Sequence, residues 1–191
     1  HSFNNNRNSD KFYDLKIENF ISLIDFISKK VKPAKITLTF DDGFKSIIPA
    51  VEYSLEKGFI TIAYIISDYI DKDGFLTKKD IKYLYSIGCI IGSHSKSHRD
   101  LSKVGKDLLE TELIDSKREL EKIIGVEVDH FSFPYGAYNK YAKRKAGDDA
   151  QGMLHQYNTP LHTLIQTNEV LRKTMEELYG KDLRYLPNRL R

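Results

Sequence analysis

The sequence predicts an α/β protein built on a mainly parallel sheet, and two features carry that expectation. Short β-branched or apolar runs at 36–40, 59–67, 88–93 and 128–133 alternate with longer stretches whose apolar residues recur at helical spacing. That is the pattern of strands joined by crossover helices. Three of the runs also end in polar signatures: Asp41-Asp42-Gly43, His94-Ser-Lys-Ser-His98 and Pro134-Tyr135-Gly136. Functional groups in parallel sheets and barrels collect beyond the carboxyl ends of the strands. The three signatures should therefore converge on one face.

Taken in order, His1–Asp10 is polar and Asn-rich and reads as a surface loop. Phe20, Leu23, Ile24 and Ile27 place a first helix over about 17–30, stopped by Pro33. Strand 36–40 follows and runs into the two aspartates. Ile47, Ile48, Val51 and Leu55 form a second amphipathic stretch closed by Gly58, and Phe59–Ser67 reads as a buried strand. Thr77-Lys-Lys-Asp80 has the form of a capping box for a helix bearing Ile81, Leu84 and Tyr85. Gly88–Ser93 is the next buried strand and leads directly to His94. A long helix is expected over about 106–124, with Leu109, Leu113, Leu120 and Ile124 on its core side and Gly125 at its end. Val128–Phe133 reads as a strand with His130 in its middle, and a last helix is expected over about 161–179. The tail Asp182–Arg191 shows little apolar periodicity and reads as a solvated or partner-facing end.

The 191 residues suit one domain, with no repeat, linker or low-complexity tract to divide them. Forty per cent hydrophobic and 30% charged residues describe an ordinary globular composition. A net charge of +3 without a Lys/Arg block argues against a nucleic-acid partner, and the single Cys89 excludes an internal disulfide framework. No apolar run reaches the length needed to span a bilayer.

Two adjacent carboxylates at Asp41-Asp42 disfavour joint ionisation unless a cation or a difference in role separates them. The competing reading is an acidic turn, because Asp-Gly is a common turn dipeptide. His94 and His98 are four residues apart, so on a helical turn both imidazoles would point the same way. Two neutral histidines with one carboxylate form a three-ligand site for Zn²⁺ that leaves positions open for water and substrate. Softness and geometry favour Zn²⁺, while Co²⁺ and Ni²⁺ suit the same donors. Pro134-Tyr135-Gly136 is a tight turn in its own right. With 12 Tyr, 10 Phe and no Trp, any sugar platform falls to Tyr and Phe, the candidates being Phe44, Tyr69, Phe75, Tyr135 and Tyr138.

Thr39-Phe-Asp-Asp-Gly43, His94-Ser-Lys-Ser-His98 and Pro134-Tyr-Gly136, in this order, resemble the first three motifs of the polysaccharide deacetylase (NodB-homology) family, the family-four carbohydrate esterases. The resemblance runs from about Lys35 to about Ala146, and His1-Ser-Phe3 is similar to the remnant of an early strand in part of that family. It implies a distorted, incomplete (β/α) barrel with fewer strands than the eight-stranded type. It implies a metal-dependent hydrolase that removes N-acetyl groups from N-acetylglucosamine polymers, or O-acetyl groups in some members. An acetylated glycan partner and an extracellular or cell-envelope location follow from the same likeness. Carried over residue by residue, it makes Asp42, His94 and His98 the metal ligands and Asp41 the general base for a metal-activated water. The Tyr135 backbone N–H becomes the oxyanion donor.

The chain also departs from the family pattern. Ser132 stands where an arginine usually orients the base, a feature shared with subgroups similar to biofilm-polysaccharide deacetylases. Residues 147–191 are divergent or shortened. Met153-Leu-His155-Gln156 resembles the late motif whose histidine is the general acid, although it follows Gly136 too soon for the usual intervening strands; His162 is the weaker candidate. The missing arginine and the short C-terminal part leave a second class open: a metal-retaining but catalytically weakened carbohydrate-binding or scaffold relative.

Overall fold

A computed structural model describes residues 16–148. Helix α1 (Ile17–Lys30) precedes strand β1 (Thr37–Phe40), helix α2 (Ile48–Glu56) and strand β2 (Ile60–Ile65). Helix α3 (Lys78–Ser86) and strand β3 (Ile90–Ser93) follow. Helix α4 (Lys106–Glu110) then passes through a π-helical turn (Thr111–Asp115) into α5 (Ser116–Ile124), and α6 (Lys140–Asp148) comes last. The N-terminal loop, the early strand remnant, the helix expected over 161–179 and the tail lie outside the described residues.

The three strands form one parallel sheet in the order β1-β2-β3, with Phe40 opposite Ala63 and Ile65 opposite Ser93. Parallel pairing puts all three carboxyl ends on one edge, from which Asp41, Ser67 and His94 depart. Central β2 is buried along nearly its whole length, as expected of a strand covered on both faces. Helix α1 reaches the sheet through Phe20 against Phe40, with ring centroids 5.9 Å apart. It is tied to α2 by Asp25, which accepts a 2.6 Å bond from the Tyr53 hydroxyl and pairs with Lys57 at 2.9 Å. The capping box forms as expected: Thr77 Oγ1 accepts from the Asp80 amide at 3.1 Å, and Asp80 accepts from the Thr77 amide at 2.9 Å. Phe20, Ile24, Phe40, Val51, Ile65, Ile81, Leu84 and Ile91 share the main core. A second cluster, including Leu101, Leu109, Leu113, Phe131 and Phe133, lies under α4 and the π turn.

Two expected elements differ. Val128–Phe133 is not a strand but a single parallel bridge between Phe131 and Ser93, closed by the Ser93 amide to His130 O (2.8 Å) and the Ser132 amide to Ser93 O (3.0 Å). Side chains of α5 take the backbone groups a longer ladder would use. Lys117 Nζ donates to Val128 O at 2.7 Å, and the Val128 amide donates to Glu121 at 3.1 Å. His130 accordingly sits outside any strand and bonds Asp129 at 2.5 Å. The helix over 106–124 has the expected extent, but its middle is the π turn.

Two positions of the sheet give direct tests. A Cβ on Gly92 would lie 2.5 Å from the ring of Tyr64, its register partner, which is 2% exposed. Gly92→Ala should therefore cost roughly 1–3 kcal/mol by overpacking, read as a lower urea midpoint with an unchanged slope. Thr61 Oγ1 is buried without a hydrogen-bond partner. Thr61→Val removes that unpaired hydroxyl at nearly constant shape and should add about 1 kcal/mol; a lowered midpoint would contradict this account.

Candidate metal centre

Beyond β1 the chain turns sharply. Asp42 (φ +72°) and Gly43 (φ +77°) are both left-handed, a conformation short polar Asp tolerates and Gly adopts freely. Gly43 also packs closely on β2, since a Cβ there would meet Ile65 Cγ2 at 3.2 Å. The adjacent aspartates thereby acquire different surroundings. Asp42 Oδ1 is shielded from solvent and faces His94 Nε2 at 3.4 Å and His98 Nε2 at 3.3 Å. Asp41 is half-buried, and no side-chain hydrogen bond or ion pair holds its carboxylate among the described residues.

His94 and His98 converge as expected, but not on a helical turn. Ser95 (φ +66°) and His98 (φ +61°) are left-handed, and residues 94–98 form a loop. Helical spacing predicts the right proximity for the wrong reason, because the loop is shaped mainly by its neighbours rather than by internal backbone-to-backbone hydrogen bonds. The His94 amide donates to Ile65 O (2.9 Å), the Ser67 amide to Ser95 O (3.2 Å) and the Asp68 amide to Lys96 O (2.9 Å). Within the loop the His98 amide donates to Ser95 Oγ at 3.0 Å. The imidazole centroids end 5.0 Å apart.

One contact defines the chemistry of His94, which is 3% exposed. Its Nδ1 lies 2.8 Å from Ser132 O. A carbonyl only accepts, so Nδ1 carries the proton, and in the neutral ring the Nε2 lone pair faces Asp42 Oδ1. Two acceptors directed at each other require a proton or a cation between them. The ligand atoms of Asp42, His94 and His98 all lie within 4.8 Å of one another. Two imidazole nitrogens and one carboxylate oxygen, with a histidine oriented by a backbone carbonyl, are a fitting donor set for Zn²⁺. These residues could hold such an ion. Ser132 is thus more than a missing arginine. Its side chain brings no charge to Asp41, while its carbonyl orients a candidate ligand, a role no side-chain pattern in the sequence signals.

The turn Pro134–Gly136 reaches the same rim. Tyr135 has φ +59° and is 53% exposed, with its ring centroid 4.7 Å from that of His98. Of the other proposed sugar platforms, Phe44 and Phe75 stack on each other at 4.7 Å, Tyr69 meets Phe75 at 4.8 Å and Tyr138 packs against Phe133 at 5.0 Å. The structure therefore brings together Asp42, His94, His98 and the ring of Tyr135, with Asp41 next to Asp42 in the chain. His155 and His162 lie outside the described residues.

The family model described as polysaccharide deacetylase matches residues 28–151. The peptidoglycan-N-acetylmuramic acid deacetylase PdaA of Bacillus subtilis (strain 168) is 30% identical over 122 residues, covering 63% of this chain and 45% of PdaA. The crystal structure of BC0361, a polysaccharide deacetylase from Bacillus cereus, aligns with a TM-score of 0.65 at 25% identity over 74% of this chain and 51% of that one. The Streptococcus pyogenes deacetylase PplD, solved in complex with acetate, aligns with a TM-score of 0.70 at 19% identity over 81% and 77%, a likeness of fold. The chain spans less than half the length of PdaA and about half that of BC0361. With the motifs in family order, the parallel sheet beneath them and the match over residues 28–151, this chain belongs to the polysaccharide deacetylase family.

Proposed function

We propose that this protein is a metal-dependent hydrolase that removes N-acetyl groups from an N-acetylglucosamine-containing polysaccharide. The observation that carries the proposal is the convergence of Asp42 Oδ1, His94 Nε2 and His98 Nε2 within 4.8 Å, with a second aspartate, Asp41, adjacent in the chain. PdaA is named for action on N-acetylmuramic acid in peptidoglycan. That name supports a cell-envelope glycan as the substrate class for this chain too, and with it an extracellular or envelope location.

A divalent cation held in the site, Zn²⁺ by preference and Co²⁺ or Ni²⁺ as alternatives, would supply a Lewis acid for the acetyl carbonyl and would lower the pKa of water toward about 7. The protein's own groups divide the remaining work. Asp42, His94 and His98 hold the ion, and the Ser132 carbonyl keeps His94 in the ligating tautomer. Asp41 takes the proton of the attacking water as the new C–O bond forms. The backbone N–H of Tyr135 serves the carbonyl oxygen as it gains charge. The C–N bond then breaks, the amine leaves with a proton and acetate is released. His155 is proposed as the donor of that proton, and residues 1–191 as one catalytic domain.

One observation favours a second reading. Asp41 lacks a side-chain partner among the described residues, and Ser132 supplies no charge to orient it, which fits a weakened, glycan-binding relative that keeps its metal. Zinc content measured together with acetate release separates the two, using N-acetylglucosamine oligomers, peptidoglycan and O-acetylated xylan. Zinc bound without acetate from any of these would sink the hydrolase reading, and acetate from xylan alone would make the protein an O-acetyl esterase.

Asp41→Asn should lower turnover by about 10²–10⁴-fold, the usual worth of a general base, while metal content stays near that of the wild type. Equal loss of metal would mean that the roles of the two aspartates are reversed. Removing the ion with a chelator should abolish acetate release, and Zn²⁺ or Co²⁺ should restore it. Persistent activity at a metal content near zero would refute metal dependence.

A further inference from the structure

Glu112 breaks the pattern of the helix that carries it. It lies on the same inward stripe as Leu109, Leu113 and Leu120 and is 1% exposed, in the π turn between α4 and α5. A carboxylate is almost never fully buried without partners. Its partners here come from the middle of the histidine loop. The Lys96 and Ser97 amides donate to Oε2 at 3.0 and 2.8 Å, and the Ser97 hydroxyl donates to Oε1. The exposed Arg99 Nε lies 3.6 Å from Oε1 and donates to Ser97 Oγ at 3.1 Å.

One helical turn later, buried Ser116 bonds Ser93 Oγ at 2.7 Å and donates to Ser95 O at 3.1 Å. The loop is thus gripped at its start and in its middle by one side of one helix. Leaving two neighbouring N–H groups without acceptors beside a buried histidine would cost about 1–3 kcal/mol each. The π turn places the carboxylate among the leucines, where it reaches both. Such turns occur frequently at functional sites.

We propose that Glu112 is a positioning residue of the metal centre. By clamping the amides of Lys96 and Ser97 it fixes the reach between His94 and His98, although it touches neither imidazole. The inference rests on the metal-site reading above and deepens it. It also accounts for a polar residue where the amphipathic pattern calls for an apolar one.

The test compares the full chain with Glu112→Ala and Glu112→Gln, measuring Zn²⁺ affinity by competition with a chromogenic chelator alongside thermal unfolding. Glu112→Ala should bind Zn²⁺ about 10–100-fold more weakly, the usual effect of losing a group that orients metal ligands. Glu112→Gln should stay within about threefold of the wild type, because its carbonyl oxygen can keep both amide bonds. A folded Glu112→Ala with a lower Tm and wild-type Zn²⁺ affinity would overturn the proposal, since it would leave only a structural role. Should that variant fail to fold, hydrogen exchange on the wild type decides. Slow exchange at the Lys96 and Ser97 amides supports the clamp, and exchange as fast as an open loop overturns it. A wild type that binds none of Zn²⁺, Co²⁺ and Ni²⁺ would remove the metal-dependent deacetylase reading, and amide exchange would then judge the clamp separately.

Discussion

Three electron-rich atoms are held face to face at the rim of this sheet, and most of what surrounds them keeps them there. Asp42 Oδ1 lies 3.4 and 3.3 Å from two imidazole nitrogens, one of which presents its lone pair in the neutral ring because its other nitrogen donates to a carbonyl. Such an arrangement repels itself without a positive charge in the middle, so the fold must supply the restraint. It does so from every side: β1 delivers the carboxylate, β2 and β3 deliver the histidine loop, and the single bridge at Phe131 delivers the carbonyl that orients His94.

The backbone records that restraint. Of the five non-glycine residues with positive φ among the described residues, four are Asp42, Ser95, His98 and Tyr135, all at the site. Each such conformation costs on the order of 1–3 kcal/mol and persists only where neighbouring contacts over-determine it. Those contacts are visible. Ser95 is pinned by the Ser67 amide and the Ser116 hydroxyl through its carbonyl, and by the His98 amide through its own hydroxyl. Local strain is concentrated where ligand geometry needs it and offset by hydrogen bonds from a helix and a loop distant in sequence. Gly92 lets the Tyr64 ring of β2 approach more closely than a Cβ would permit, and Gly43 packs tightly on Ile65 of the same strand.

Family membership and site geometry also divide the labour differently from what the motifs alone suggest. The motif residues supply the donor atoms, but residues outside the motifs' usual roles set their orientation. Ser132 acts through its carbonyl and Ser116 through its hydroxyl. The π turn interrupts a helix whose regular continuation the leucine pattern would otherwise lead one to expect. Tyr135, singled out in the sequence by its place at the rim, is the exposed ring against a candidate ligand, while Phe44, Tyr69 and Phe75 pack on one another.

The alternation of strands and helices, the capping box at Thr77, the glycine-ended helices and the identity of the residues that gather at the rim are legible without the fold. These are written in local periodicity and in residue type, and both survive without knowledge of the partner chain segments. The fold was needed to show that 128–133 makes one bridge instead of a strand, since Lys117 and Glu121 capture its backbone from another element. It was needed as well to show that His94 and His98 meet across a left-handed loop and that Glu112 turns inward. Each depends on a hydrogen bond between residues far apart in the chain, and neither spacing nor propensity carries information about such a partner.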